Sequence, residues 1–380
     1  MEPLQHELAP SYGELRQIRT RGQLHKSALW ARIGPEVVRV LDAVDVRDAP
    51  GVPPLPRTFR AVAWNIQRGQ HLDALVAALR DDPALARADV LFLSEVDCGM
   101  GRSGNRHVAR ELATALGMSY AFAVSYLALE DDHGENPDHT PNTLALAGSA
   151  ILARAPILRA VNADVPAVRD KFGSAEKRLG RKRAVVAQIA TAAGPLTIAQ
   201  AHLDSNASSP QRAVQLAAIL DEVDRLAPPP APALLGGDLN TTTYQYSSAL
   251  RLARDLLHKL VVTGFRGTLE NYLTPDERYE RPIFELLAAR AFAIGDFNAR
   301  GGGTIRYDFN EPYALAKVQA AVGGVITRAL LGRLAPWNNV VEAHLDWFAG
   351  RQLAGRGAHV VRQGRPPASD HDPIVVDVTL

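Results

Sequence analysis

The run KRAVVAQIATAAGPLTIAQAHL, residues 182–203, decides how this chain folds. Two segments rich in β-branched residues flank Ala192, Ala193 and Gly194, and read as a β-hairpin. A hairpin is antiparallel, so it does not belong to a purely parallel, doubly wound sheet. Helical stretches and further strands surround it. Downstream, Ser209 and Pro210 open a long helix as an N-cap and first-turn pair, and the helix stops before PPPAP at 228–232. APALLGGDLN at 231–240 is then a strand running into a polar turn. Upstream, TFRAVAW ends at Asn65 and ADVLFLSE ends at Glu95, with the helix HLDALVAALR between them. NRHVARELATALG is a helix closed by Gly117, and MSYAFAVSYL and ALAGSAILAR are strands. VVEAHLDWF and PIVVDVTL finish the chain. Hairpins mixed with helices point to an α+β fold: two facing mixed sheets with helices on their outer sides, a four-layer α/β/β/α sandwich.

Residues 1–57 precede this pattern as a helical extension. Within 11–47, Trp30, Ile33, Val37, Leu41 and Val44 recur at three- and four-residue steps, as one helical face requires. Pro35 starts or kinks a helix there, and GVPPLP at 51–56 breaks the structure before the main domain, 58–380. Packing onto that domain is the simplest role for the extension. An insertion occupies about 245–335 and contains the apolar helical stretch 313–332. Simple packing is again the plainest reading, and a cover over the site, a lipid contact or a dimer contact are the alternatives.

Composition narrows the function. The chain has 380 residues, 47% hydrophobic and 22% charged, as ordinary globular proteins do. Forty-two basic residues balance 41 acidic ones, for a net charge of +1, which removes the simplest argument for a non-specific DNA binder. Cys98 is the sole cysteine, so an internal disulfide and a cysteine zinc site are both excluded. The first residues lack a basic segment followed by an apolar one, and no apolar run is long enough to span a bilayer. A cytoplasmic location is expected. There is no dinucleotide fingerprint or phosphate-binding loop motif.

The chemistry gathers at strand ends. Asn65, Glu95, His202, Asp204, Asp238, Asn240, Asp346, Asp370 and His371 each lie within or beside a short apolar run. A buried charge is costly unless paired or bound to metal, so recurrence at strand ends suggests one convergent polar cluster. Oxygen donors favour Mg²⁺, Mn²⁺ or Ca²⁺ over structural zinc.

The ordered motifs WNIQRG (64–69), SEVD (94–97), GSAILAR (148–154), AHLDS (201–205), GGDLN (236–240), HLDWF (344–348) and SDHDP (369–373) resemble those of the endonuclease/exonuclease/phosphatase superfamily. The resemblance covers roughly residues 58–380. It implies the two-sheet sandwich and Mg²⁺-dependent cleavage of a phosphate ester, with Mn²⁺ as a substitute. It implies a metal site of Glu95 and Asp370 with Asn65 near the metal or phosphate. His202 and His371 would contact the phosphate, Asp238 would orient or deprotonate the attacking water, and Asn240 would hold a phosphate oxygen. Asp346 would fix the orientation of His371. For Glu95 the structural alternative is a salt bridge to an arginine. Asp204 follows the His-Leu pair and either orients His202, approaches the metal or merely forms a turn. GDFN at 295–298 repeats the GGDLN pattern superficially and is expected to be a decoy. His133 and His139 lie in a polar loop that reads as solvated. The expected activity is hydrolysis of a phosphodiester, with nucleic acid among the substrates allowed. The alternatives are hydrolysis of an inositol phosphate, lipid or small metabolite ester, and a non-catalytic binding protein that keeps the fold. The sequence leaves the oligomeric state and the number of metals open.

Overall fold

In a computed structural model, residues 3–130, 136–174, 176–241, 264–310, 315, 319 and 324–380 are described. They form two large mixed sheets packed face to face, with helices outside each, as the α+β sandwich reading expects. The larger sheet runs β1 (Val44–Arg47), β4 (Ser119–Ala128), β5 (Leu146–Ala153), β3 (Val90–Cys98), β2 (Thr58–Arg68), β15 (Ile374–Thr379), β14 (Ala354–Val360), and β7 (Arg178–Gly180) also pairs with β4. The smaller sheet runs β13 (Asp346–Arg351), β10 (Ala233–Asp238), β9 (Gly194–His202), β8 (Arg183–Thr191), β6 (Ile157–Asp164). A two-stranded ribbon, β11 (Ile305–Asp308) with β12 (Val340–Ala343), stands apart from both.

Side-chain parity explains the layers. Along β2, Phe59, Ala61 and Ala63 face the core between the sheets, while Val62, Trp64 and Ile66 face the outer helices. β8 repeats this, with Val185, Ala187 and Ile189 inward and Ala184 and Val186 toward the opposite helix layer. Strands buried on both faces read as continuous apolar runs, which is why the sequence shows them so clearly. Helices α4 (Leu72–Asp81) and α5 (Val108–Leu116) cover the larger sheet, and α6 (Ser209–Leu226) with a helix at Arg281–Ala289 covers the smaller.

Several local expectations need correction. The hairpin turn is Ala192 and Ala193 alone; Gly194 begins β9 and takes φ +109°, a conformation that favours glycine. Ser208, not Ser209, caps α6, in a capping box with Gln211. The N-terminal extension is not all helix. Three helices, α1 (Tyr12–Gln17), α2 (Arg21–His25) and α3 (Ala28–Leu41), pack on the outer face of the larger sheet. Pro35 lies inside α3. Val44 then belongs to edge strand β1 rather than to the helical face, because Asp45 is drawn inward to the Tyr120 hydroxyl and His107. Val38, next to Val37 on α3, points outward and is 49% exposed. His139 is exposed, whereas His133 and much of the 313–332 stretch lie outside the described residues.

Candidate active site

Each large sheet contains one parallel pair, β2–β3 and β9–β10. Their carboxyl ends carry Asn65, Glu95, His202 and Asp238, and these ends meet at one edge of the sandwich. The Asn65 side-chain amide donates to Asp238 Oδ2 at 3.1 Å, and Gln200 donates to Ser94 Oγ at 2.8 Å, so hydrogen bonds join the two sheets there. The strand ends are sharply turned. Glu95 takes φ +53° and Asn240 φ +50°, left-handed conformations that cost a non-glycine residue about 1–2 kcal/mol. Such strain clusters at functional sites.

His371 reaches the same edge from the loop before β15. Ser369 Oγ donates to the Asn65 carbonyl at 2.6 Å, and Trp64 Nε1 donates to the His371 carbonyl at 2.7 Å. Asp370 N donates to Gln67 Oε1 at 3.2 Å, and Asp372 N to the Thr304 carbonyl at 2.7 Å. The loop is therefore pinned at both ends of the Ser-Asp-His motif.

His371 Nδ1 lies 2.8 Å from Asp346 Oδ2, and both side chains are buried. Burial alone would lower the His371 pKa; the Asp346 carboxylate outweighs it and holds the pKa well above the ordinary value. His371 is therefore an imidazolium with Nδ1–H committed to Asp346. Asp346 stands opposite Asp238 in the β10–β13 register. Burial, then the Asp346 charge, push Asp238 up to about 7. Asp238, Asp346 and His371 bring ligand-type atoms within 4.8 Å of one another, a spacing that could hold a cation.

His202 Nε2 lies 3.9 Å from Glu95 Oε1 and 3.7 Å from Asp238 Oδ2. Burial first, and the Lys182 charge second, hold His202 well below its ordinary pKa, so it is neutral. The two histidines thus take opposite charge states. Burial raises the Glu95 pKa, but Arg68, His202 and Lys182 outweigh it and bring it to about 2. The salt bridge set against Glu95 in the sequence reading is present but long, with Arg68 Nε at 3.7 Å. Arg68 also binds Glu176 at 3.1 Å, and Glu176 interacts with the buried Arg102–Asp97 pair. Asp370 is raised by burial and by the Glu95 charge, although His371 opposes the shift.

Asn240 donates its side-chain amide to the Leu203 carbonyl at 3.0 Å, and its backbone N–H to Asp238 Oδ1 at 2.8 Å. Asp204 forms a turn by accepting from Asn206 N at 3.0 Å, and it faces Lys171 at 3.7 Å. Among the described residues it makes no hydrogen bond to His202. GDFN at 295–298 lies elsewhere: Asp296 is exposed, Phe297 enters the core between the sheets, and Asn298 bonds the Phe348 backbone. Sequence reading missed Lys171, Lys182 and Thr304. Thr304 Oγ1 accepts from the backbone N–H groups of Leu345 and Asp346, at 3.0 and 3.2 Å. The only available signal for Lys182 was the basic run at 176–183, which also contains ordinary structural arginines, and Lys171 lies outside that run.

A two-sheet sandwich with acidic, Asn and His residues gathered at strand ends defines a class of metal-dependent phosphoesterase folds. The model of the Endonuclease/Exonuclease/phosphatase family matches residues 62–371, and the chain belongs to that family, which includes metal-dependent nucleases and phosphatases. Among solved structures, an endonuclease/exonuclease/phosphatase from Beutenbergia cavernae is similar over 85% of this chain and 72% of its own, with 16% identity and a TM-score of 0.51. A family protein from Leptotrichia buccalis is similar over 85% of this chain and 100% of its own, with 11% identity and a TM-score of 0.47. The endonuclease domain of TRAS1, a telomere-specific non-LTR retrotransposon, is similar over 85% and 99%, with 13% identity and a TM-score of 0.44. No curated protein matches the chain in sequence. Among the described residues, no helix is long and apolar enough to cross a membrane.

Proposed function

We propose that this protein is a divalent-metal-dependent phosphodiesterase that uses Mg²⁺, with Mn²⁺ as a substitute. The observation that carries the reading is the convergence of strand-end groups at one edge of the sandwich: His371 on Asp346 at 2.8 Å, His202 at 3.9 Å from Glu95 and 3.7 Å from Asp238, and Asp238 bonded to the Asn65 amide.

The residues fit a hard divalent cation. Glu95 stays ionised, and its charge raises the carboxyl of Asp370, so the two carboxylates repel each other as a cation would relieve. Glu95 and Asp370 would hold the ion, with the Asn65 amide at its edge. A bound cation supplies neutralisation of phosphate charge and Lewis acidity. The remaining steps belong to the protein. His371, charged and fixed by Asp346, offers its Nε2–H to a phosphoryl or departing oxygen. Asp238, raised to about 7, is matched to accept a proton from the attacking water near neutral pH. Its bond to the Asn65 amide orients it toward the other sheet. His202, neutral, can donate one hydrogen bond to the phosphate without adding charge. Asn240 lies next to Asp238 and would hold a phosphoryl oxygen. These preorganised donors would stabilise the charge of a five-coordinate transition state.

The test is metal-dependent cleavage of bis-p-nitrophenyl phosphate, plasmid DNA, apurinic DNA, RNA and phospholipid. Chelated protein should be inactive and Mg²⁺ or Mn²⁺ should restore turnover. Activity on none of these, or turnover unaffected by chelation, would refute the reading.

A further inference from the structure

Three glycines, Gly301, Gly302 and Gly303, precede Thr304 and lead into β11. A Cβ on Gly303 would stand 2.5 Å from the Glu342 Cβ on β12, so only glycine lets the loop lie this close to the ribbon. The close approach is used for bonding. Gly303 N donates to Glu342 Oε2 at 3.3 Å, Thr304 N donates to the Ala343 carbonyl at 2.8 Å, and His344 Nδ1 donates to the Gly302 carbonyl at 2.6 Å. Arg362 Nη1 donates to the Gly303 carbonyl at 3.1 Å and pairs with Asp372 at 2.8 Å. The Thr304 backbone is therefore fixed independently of its side chain, and the residue is fully buried.

Thr304 then binds both halves of the Asp346–His371 pair. Its hydroxyl oxygen accepts from Leu345 N and Asp346 N, at 3.0 and 3.2 Å, where the chain enters β13. A hydroxyl has two acceptor lone pairs, and these two bonds fill them. Its carbonyl accepts from Asp372 N at 2.7 Å, one residue past His371, and the neighbouring Ile305 forms an antiparallel bridge with His371. Asp346 opens a strand of the smaller sheet, whereas His371 precedes a strand of the larger one, so no shared ladder sets their spacing. Other bonds hold each half singly. Trp64 Nε1 and Gln363 Nε2 donate to the His371 carbonyl at 2.7 and 2.6 Å, and Leu239 N donates to the Leu345 carbonyl at 2.9 Å. Thr304 touches both halves, within one residue.

We propose that Thr304 is a positioning residue whose hydroxyl and carbonyl together set the register in which Asp346 meets His371. Its consequence for turnover rests on the phosphoesterase reading above, whereas its consequence for the Asp346–His371 bond does not. The competing account is that the hydroxyl only satisfies two buried amides, as any buried N–H requires. That account predicts an effect on melting and none on the geometry of the pair.

Thr304→Val keeps the shape and removes the acceptor, and Thr304→Ser restores it. In chelator-treated full-length protein the His371 Nδ1–H should give a downfield, slowly exchanging proton resonance, assigned by its loss in His371→Ala. This resonance should shift or broaden in Thr304→Val and persist in Thr304→Ser. With Mn²⁺ and bis-p-nitrophenyl phosphate, Thr304→Val should lower kcat about tenfold with KM nearly unchanged, the size of one net hydrogen bond. Because Thr304 acts through Asp346, adding Thr304→Val to Asp346→Asn should cost little beyond Asp346→Asn alone. Thr304→Ala repeats the series should the valine variant not fold. Failure of both to fold, read by circular dichroism, overturns the proposal by making the hydroxyl a requirement of the fold. So does an absent resonance in the wild type, an unchanged one in Thr304→Val, equal spectra in the Val and Ser variants, or additive losses in the double variant. If the resonance behaves as expected and the wild type hydrolyses no ester, the phosphoesterase reading fails and the positioning stands. If hydrolysis is intact and Thr304→Val leaves the resonance unmoved, the positioning alone fails.

Discussion

Asp346→Asn is the most informative substitution, because one carboxylate sets the protonation of two neighbours in opposite ways. It holds His371 charged through the 2.8 Å contact, and it raises Asp238 by repulsion across the β10–β13 pair. Asparagine keeps the shape and removes the charge. Burial then faces only the weaker pull of Asp238 and Asp370 at His371, whose pKa falls. Asp238 loses its main repelling neighbour and falls from about 7, less far because His371 gives up part of the charge that lowers it. Both shifts run toward acid. A hydrogen bond to a charged group contributes about 1.5–3 kcal/mol, which is roughly 10- to 10²-fold in rate at about 1.4 kcal/mol per decade. Turnover at neutral pH should fall by about that factor, and the pH profile should move to lower pH as a whole.

The cleanest assay avoids the metal. Histidine resonances followed by NMR in chelator-treated protein should show His371 charged at neutral pH in the wild type and titrating at lower pH in Asp346→Asn. The sign also applies to stability. A raised folded pKa means that the His371 contribution is fully present below the unfolded value near 6.5 and is lost as pH rises through the folded pKa. The variant should lack that alkaline loss. If His371 is neutral at pH 7 in the wild type, or titrates identically in both proteins, the Asp346–His371 reasoning is wrong.

His371→Ala should lower turnover by about 10²-fold or more while leaving the fold intact, as loss of one positioned donor does. Glu95→Gln should weaken metal binding, read by calorimetry with Mn²⁺, and lower hydrolysis in parallel; unchanged titration and turnover would remove Glu95 from the metal site. Asp238→Asn should abolish most turnover and Asp296→Asn should be near wild type, since Asp296 is exposed on a turn pinned to β13; the reverse order would show that the motifs were aligned wrongly. Asp45→Ala should cost about 2–3 kcal/mol in urea unfolding, because it strands the buried Tyr120 hydroxyl and His107. Burial raises the Asp45 pKa, but bonds from His107 and Tyr120 outweigh it and leave it depressed, so its contribution exists above the unfolded value of 3.8 and fades as pH falls through the folded one.

The main strands were legible because they are buried on both faces. Phe92, Val185 and Ile198 stand on one side of their strands, and Leu93, Val186 and Ala199 on the other, so each strand reads as an unbroken apolar run. Strands lacking that double burial escaped notice. β6 has a largely exposed or half-buried face from Leu158 to Asn162, and β14 is made of Gly, Arg and His beside Ala and Val. β1 is four residues long and owes its place to the buried Asp45 contacts, which no periodicity signals. The motif residues were legible as types at strand ends. The charge states of His202 and His371 were not, since they depend on which carboxylate lies across the sandwich.

The strained backbone at the strand ends explains why the motifs carry the residues they do. Glu95 and Asn240 sit in left-handed conformations that glycine would adopt without penalty. Glycine there would relieve about 1–2 kcal/mol of strain at Glu95 and less at Asn240, since asparagine enters this region more readily. It would also delete the carboxylate that the Arg68 and Lys182 charges hold ionised, and the amide that binds the Leu203 carbonyl. Stability alone favours a small residue at such a turn, whereas an ionised carboxylate aimed at a neutral histidine has a use only if a cation or a phosphate enters between them. The surrounding bonds over-determine the strained turns: β3 is paired on both sides, and Asp238 fixes the Asn240 backbone N–H at 2.8 Å. A Glu95→Gly variant should therefore fold with unchanged or higher stability and lose metal binding. Marked unfolding of that variant would show that the carboxylate serves the fold, through Arg68, rather than the chemistry.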